Sequence, residues 1–245
     1  MDAVPGTDSR IQADDEQPHC PVIIRKELIM SRRTSMESES QENKFWDSFA
    51  GRYDSFMKRT QRTYDRIIQK IITRVNTSDQ VFEVAAGTGI ISLAVAPHVK
   101  SVCGSDISPE MIKVAESKRA AMNIGNVEFS LSNAYDLPYE DESFDVAIAS
   151  NVLHVMVSPE KALASVHRVL KPEGLLIAPT YCHGSSVVSR AVSLLMSLSG
   201  FRACHRWSEH SLRDFLESEN YEIVEYEVIP DVIPLVYVVA RKRVR

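Results

Sequence analysis

Apolar residues follow two kinds of pattern along this chain, and the change from one to the other predicts its elements. Phe45, Trp46, Phe49, Tyr53 and Phe56 recur at three- and four-residue intervals, the period of an amphipathic helix. Tyr64, Ile67, Ile68, Ile71 and Ile72 repeat that period in a second helical stretch. Beyond it the pattern shortens. Val81 to Ala85, Ser101 to Gly104, Val127 to Leu131, Phe144 to Ser150 and Leu175 to Ala178 are compact apolar runs, each the length of a buried strand. Between them lie helical stretches over Ile90 to Ala96 and Pro109 to about Met122, and a third behind Ser158-Pro159 that carries Leu163, Val166 and Leu170 on one face. Ser108-Pro109 and Ser158-Pro159 each supply an N-cap and a first-turn proline. Lys171-Pro-Glu-Gly174 is expected to stop the third helix. A helix over 185–199, another over Glu209 to Glu219 capped by Ser208, and strands over Tyr221 to Val228 and Leu235 to Ala240 complete the series.

Strands alternating with helices at this pace imply right-handed crossovers. The expected fold is α/β and doubly wound, a mostly parallel seven-stranded sheet with helices on both faces. The last two strands have only a loop between them, so they should pair antiparallel at the edge. The first 42 residues are rich in Asp, Glu, Ser, Arg and Gln and show no sustained period. Such a segment buries too little to offset its ordering entropy. Residues 1–42 are therefore expected to be a disordered tail, and 43–245 a single domain.

Composition narrows the functional classes. Hydrophobic content is 44%, charged content 25% and net charge -5, which gives no global pull toward nucleic acid or an anionic membrane. No apolar run reaches the roughly 20 residues that span a bilayer, so no stable membrane insertion is expected. Cys20, Cys103, Cys182 and Cys204 show no CxxC spacing and no disulfide framework, which suits a reducing cytoplasm. Cys182-His183 and Cys204-His205 are adjacent pairs. Adjacent side chains rarely aim at one ion, so no metal site is expected. The basic run Arg241-Lys-Arg-Val-Arg245 reads as a solvated chain end.

The chemistry concentrates after the first strand. Gly87 and Gly89 follow it directly, where a tight strand-to-helix turn needs unusual backbone angles or close approach to a ligand. Asp106 ends the second strand, the place where a doubly wound fold sets an acid to accept both ribose hydroxyls. Glu83 stands inside an otherwise apolar strand end, and a buried carboxylate requires a partner. A dinucleotide fingerprint would place a third glycine where Ser92 stands, and Ala85 precedes the pair. The loop therefore suits a nucleoside ligand without phosphates better than NAD.

Glu83-Val-Ala-Ala-Gly-Thr-Gly89 resembles the first motif of the class I, Rossmann-like S-adenosylmethionine-dependent methyltransferases. Gly104-Ser-Asp-Ile-Ser-Pro-Glu-Met111 is similar to their second motif, Asn133-Ala-Tyr-Asp-Leu-Pro138 to their adenine-side segment, and Ser143-Phe-Asp-Val-Ala-Ile-Ala-Ser-Asn151 to their fourth-strand motif. Arg168-Val-Leu-Lys-Pro-Glu-Gly174 matches the stretch that leads into the fifth strand, and Phe45-Trp-Asp-Ser-Phe-Ala-Gly-Arg-Tyr-Asp54 resembles the N-terminal helical lid of small-molecule and lipid-precursor members. The resemblance implies S-adenosyl-L-methionine as cofactor. Gly87 and Gly89 would admit its methionine and ribose portion, with Ala85 in place of the usual first glycine. Glu83 would organise the loop or bind the amino group, and Asp106 would hold the ribose diol. Ile107 and Met111 would pack on the adenine, Asn133 and Ala134 would meet its polar edge, Ser150 would face the methionyl end, and Tyr53 would lie over the cofactor.

Methyl transfer from a sulfonium demands positioning and exclusion of water, with a base only where the nucleophile must lose a proton. Asn151 and His154 follow the fourth strand, and Tyr181 and His183 the fifth, so these are the candidates for the acceptor side. His154 and His183 are the candidate bases. Asn151-Val-Leu-His154 is not the Asn-Pro-Pro-aromatic signature of DNA amino-methyltransferases, so a small-molecule acceptor is expected, quinone-like or a lipid precursor. The alternatives are an NAD-type oxidoreductase and a silent S-adenosylmethionine-binding module.

Overall fold

The computed structural model describes residues 20–21, 36–183, 187, 189, 191–192, 194 and 203–243. Among the described residues, the helices described end to end are α1 (Met36–Met57), α2 (Gln61–Ile72), α3 (Ile90–Val95), α4 (Pro109–Ala121), α5 (Pro159–Val169) and α6 (Glu209–Ser218). The strands are β1 (Gln80–Val84), β2 (Ser101–Asp106), β3 (Val127–Leu131), β4 (Phe144–Ile148), β5 (Leu170–Ile177), β6 (Thr180–Tyr181), β7 (Tyr221–Ile229) and β8 (Leu235–Lys242). The helix expected over 185–199 lies largely outside the described residues.

The sheet runs β3-β2-β1-β4-β5-β8, with β7 on the far side of β8. β1 to β5 pair in parallel. β8 is antiparallel to both β5 and β7, which closes that edge with the expected antiparallel pair. The two-residue β6 continues the line of β5 and also pairs with β8, so the sheet is seven strands wide.

Burial on both faces explains why the strands read as continuous apolar runs. Successive side chains point to opposite faces. Val81, Val102, Val146, Ile148 and Val239 enter one core with Ile67 and Ile71 of α2 and Ile91 of α3. Phe82, Val84, Cys103, Ala147 and Val238 enter the other with Leu163 and Val166 of α5 and Leu212 and Leu216 of α6.

Of the three serine caps expected from the sequence, two form. The Ser108 hydroxyl accepts the Met111 N–H at 3.1 Å, with Pro109 in the first turn. Ser208 and Ser211 form a reciprocal capping box at α6. Ser158 makes no side-chain cap bond to α5; its own N–H donates to the Tyr135 phenol at 3.3 Å.

Lys171-Pro-Glu-Gly174 behaves differently from the expected helix stop. β5 starts at Leu170, and its pairing with β4 slips between Phe144↔Leu170 and Val146↔Leu175. The four residues form a bulge in the strand, in which Glu173 takes a φ of 62°. Asp145 pins it: one carboxylate oxygen accepts from Lys171 Nζ at 2.7 Å, and the other from the Gln80 N–H at 2.9 Å.

The connection from β3 to β4 crosses the sheet without a helix. Arg168 of α5 organises it, donating to the carbonyls of Tyr139 and Leu137, both at 2.7 Å, and to Asp141. Tyr139 then packs edge-on against Phe82 and Phe144, with ring centroids 5.1 and 5.2 Å away. No helix from this connection covers β2 on that face, and there Cys20 reaches Cys103 in a disulfide, its N–H donating to Glu128 at 3.2 Å. This corrects the expectation of four unpaired cysteines. A bond across 83 residues of sequence leaves no spacing signature.

The tail boundary moves as well. α1 starts at Met36, inside the segment expected to lack structure, because Glu, Gln and Lys between Met36 and Lys44 are good helix formers that extend the helix beyond its aromatic stretch. Replacing Arg168 with Met should lower stability by about 2 kcal/mol, since it strands two backbone carbonyls in the β3–β4 connection. Thermal denaturation checks this, and an unchanged midpoint would mean that burial of Tyr139 alone holds the connection.

Candidate functional site

The loop from β1 to α3 sits at the carboxyl end of the sheet, where β1 pairs with β2 on one side and β4 on the other. This is the switch point at which open α/β sheets bind ligands. Ala85, Gly87 and Gly89 alternate in left-handed backbone, with φ of 52°, 55° and 74°. At Gly89 a Cβ would lie 2.5 Å from the Phe129 ring, so glycine is required there for space as well as for angle. Ala85 adopts the left-handed geometry with a methyl in place, at a cost of about 1–2 kcal/mol.

That geometry aims the Gly87 N–H at Asp106. One carboxylate oxygen of Asp106 accepts from Gly87 N at 2.8 Å, and the other from Ser108 N at 2.9 Å. Asp106 is 8% exposed. Burial raises its pKa, the Ser108 and Gly87 N–H groups pull it back down, and nearby Asp47 adds to the rise.

Glu83 finds its partner in Ser92, whose N–H donates to it at 2.9 Å and whose hydroxyl bonds the same oxygen. Ser92 is the residue that stands where a dinucleotide fingerprint would have its third glycine. Burial pushes the Glu83 carboxyl up to about 8 against the pull of both Ser92 bonds, so the free protein holds it largely protonated at neutral pH.

A cleft of about 800 Å³, measured out to its open mouth, lies against this loop. Every residue assigned to the cofactor from the sequence lines it except Glu83 and Gly89, which stand behind the loop. Ala85, Gly87 and Asp106 form the floor, Ile107 and Met111 one side, Asn133 and Ala134 another, and Ser150 the end of β4. Tyr53 closes over the loop, its ring edge 3.9 Å from where a Gly87 Cβ would be. The Asn133 side-chain oxygen Oδ1 accepts from the Tyr135 N–H at 2.9 Å, which leaves its side-chain NH2 as a donor.

Sequence reasoning missed Trp46, Ser132, Tyr135, Val152, Val155 and Met156, all in the wall. Trp46 was legible, since it lies two helical turns before Tyr53 on the same face. The turn after β4 has no period to read. There Asn151, also in the wall, takes a φ of 53° and donates its amide to the Tyr64 phenol at 3.0 Å.

The same turn corrects the assignment of the histidines. His154 and His183 do not line the cleft. Val155 and Met156 occupy the wall, while His154 turns inward and packs on His183 with ring centroids 5.1 Å apart. Burial lowers His154 to about 3 and His183 to about 4, so both are neutral at pH 7. Tyr181 and Cys182 are likewise absent from the wall, and burial raises both.

The family model for a methyltransferase domain matches residues 82–178, from β1 to the end of β5. The mostly parallel sheet with its antiparallel edge and flanking helices is the α/β methyltransferase fold. Among its relatives is the ubiquinone/menaquinone biosynthesis C-methyltransferase UbiE of Citrifermentans bemidjiense, 32% identical over 53% of this chain and 58% of that one. A demethylmenaquinone methyltransferase of Clavibacter sepedonicus is 27% identical over 78% of this chain and 82% of that one. The first of these matches, like that to the uncharacterized methyltransferase YcgJ of Bacillus subtilis, spans only about half the relative's length. The crystal structure of the Bacillus YcgJ protein superposes with a TM-score of 0.66 at 19% identity, covering 74% of this chain and 100% of that one, which shows a shared fold.

Glu83 sets a pH dependence. Its folded-state pKa lies above the unfolded value, so between about pH 4.5 and about 8 the native protein retains a proton that the unfolded chain has lost. Its contribution to stability is complete below that window and is lost as pH rises through it. Denaturation midpoints of the ligand-free protein should fall across this range, and Glu83→Gln should flatten the fall. Equal slopes in both proteins would exclude Glu83 as its source.

Proposed function

We propose that the chain transfers a methyl group from S-adenosyl-L-methionine to a small, quinone-like aromatic acceptor. The observation that carries this reading is Asp106, a buried carboxylate on the cleft floor held by two backbone N–H groups. It is the one formally charged residue among those described in the wall. A wall with an anion and no cation suits a sulfonium and a ribose diol better than the diphosphate of an NAD-type cofactor. The oxidoreductase alternative also loses its glycine position, because Ser92 is engaged with Glu83.

Bound there, S-adenosylmethionine supplies an already activated methyl group. Asp106 would accept from the ribose hydroxyls with its remaining lone pairs. Ile107 and Met111 would cover one face of the adenine, Asn133 and Ala134 would meet its edge, and Gly87 would let the backbone approach the methionyl chain. Tyr53 and Ser150 would flank the reacting end, with Glu83 and Gly89 shaping the loop from behind. Burial holds the phenols of Tyr53 and Tyr64 above their ordinary range, and His154 and His183 stand outside the wall. We therefore assign no proton transfer to any of the four. The chain's residues act by orienting the reactants and shielding the sulfonium, and the proton that the acceptor loses on methylation would leave to bulk solvent through the open mouth of the cleft.

Trp46, Val152, Val155 and Met156 give part of the wall an apolar and aromatic surface, which fits a planar ring, and the quinone-biosynthesis names of the relatives support that class. No described helix is long and apolar enough to cross a membrane. Nucleic acid is not proposed as a partner, given the net charge of -5. The proposal includes a cytoplasmic setting, in which thiol buffers would keep Cys20–Cys103 open except under oxidation.

Asp106→Ala should weaken S-adenosylmethionine binding at least tenfold, about 1.4 kcal/mol, by titration calorimetry. An unchanged affinity would remove Asp106 as the ribose ligand. Transfer of a labelled methyl group to hydroquinones tests the activity itself: binding without a labelled product from these or from a metabolite extract would leave a silent binding module.

A further inference from the structure

We propose that Asp54 is a positioning residue that latches α1 over the cofactor loop and sets how fast the cofactor escapes; this rests on the cofactor reading above. α1 contributes Trp46 and Tyr53 to the cleft wall, and each is followed by an aspartate, Asp47 and Asp54. The two pairs lie two helical turns apart, so they share a face. Asp47 accepts the Ser108 hydroxyl at 2.5 Å. Asp54 accepts the Thr88 hydroxyl at 2.5 Å with one oxygen and Lys118 Nζ at 2.9 Å with the other, while Lys118 also reaches the Thr88 hydroxyl at 3.2 Å.

The landing points of these bonds give them their significance. Thr88 is fully buried between Gly87 and Gly89, and the Gly87 N–H holds Asp106. Ser108 holds the other oxygen of Asp106 through its own N–H. One latch thus ends on Ser108, which orients the proposed ribose ligand, and the other on Thr88, the direct neighbour of Gly87, which also orients it. Closing α1 steadies the Asp106 cradle, and a filled cradle steadies the sites onto which α1 closes.

Little else fastens the helix. Of its described side chains Ala50 and Met57 are buried and Tyr53 is half-buried against the core, its phenol bonded to that of Tyr64 in α2; beyond that contact and the two latches, the hydrogen bonds of its described side chains stay within the helix. An element with few buried contacts opens at low cost. An exposed ion pair such as Asp54–Lys118 contributes little by itself. Sharing the buried Thr88 hydroxyl is what makes this one specific.

The chain's two tryptophans allow a direct test. Trp46 lies in the cleft wall, whereas Trp207 stacks between His205 and Phe215. In Trp207→Phe protein, Trp46 emission reports on α1. Asp54→Asn in that background should release S-adenosylhomocysteine about tenfold faster by stopped flow, equal to about 1.4 kcal/mol. It should also make Trp46 more open to acrylamide quenching without ligand, with the melting temperature unchanged. Adding Lys118→Gln to Asp54→Asn should change the release rate less than Lys118→Gln alone does. Unchanged release and unchanged quenching would overturn the latch, as would a lowered melting temperature with unaltered release. If the parent binds no S-adenosylhomocysteine, the cofactor reading fails, and the quenching comparison still decides whether Asp54 holds α1 closed.

Discussion

The carboxylate of Asp106 accepts N–H bonds from Gly87 and Ser108, and much of the site's geometry is a consequence of meeting that demand. A buried anion without donors is costly. The donors here come from two separate segments, the loop leaving β1 and the entry to α4. The left-handed turn at Gly87 aims one of them. The other belongs to the same Ser108 whose hydroxyl caps α4. A single acid therefore joins the ends of β1 and β2 to the start of a helix, and the cleft opens on the face that it leaves exposed.

A second buried acid has a different task. Glu83 lies one strand away, bonded to Ser92 and driven toward its neutral form by burial. It fixes the loop against α3 from beneath while Asp106 faces the cleft. Two carboxyls at the same end of the sheet thus separate into a structural group and a ligand-facing group by their donors and burial. α1 completes the enclosure from above, joined to this circuit through Thr88 and Ser108.

Much of the architecture was legible because the physics involved is local. Short apolar runs predict strands buried on both faces, and Ser108-Pro109 and Ser208 announce the helices that they cap. The cleft residues at strand ends were legible for the same reason, since topology alone places Asp106, Asn133 and Ser150 at one edge. What escaped was non-local or irregular. Ser92 was readable as a glycine not present, but its pairing with Glu83 is a tertiary contact. His154 sits in an aperiodic turn where a rotation of one residue decides between wall and core, and Val155 took the wall. Lys171-Pro-Glu-Gly174 carries residues that stop helices, yet its pairing with β4 makes it a bulge within β5. Cys20 meets Cys103 only because the β3–β4 connection lacks a helix, a feature that appears in no single stretch of sequence.

The Asp106 cradle is the proposed seat of the cofactor. Amide hydrogen exchange with and without S-adenosylhomocysteine examines that claim residue by residue. Exchange at the Gly87 and Ser108 amides should slow on ligand addition, together with that in the stretch of α1 from Trp46 to Tyr53. Binding with no change at those amides, and protection gathered instead around His154 and His183, would contradict it.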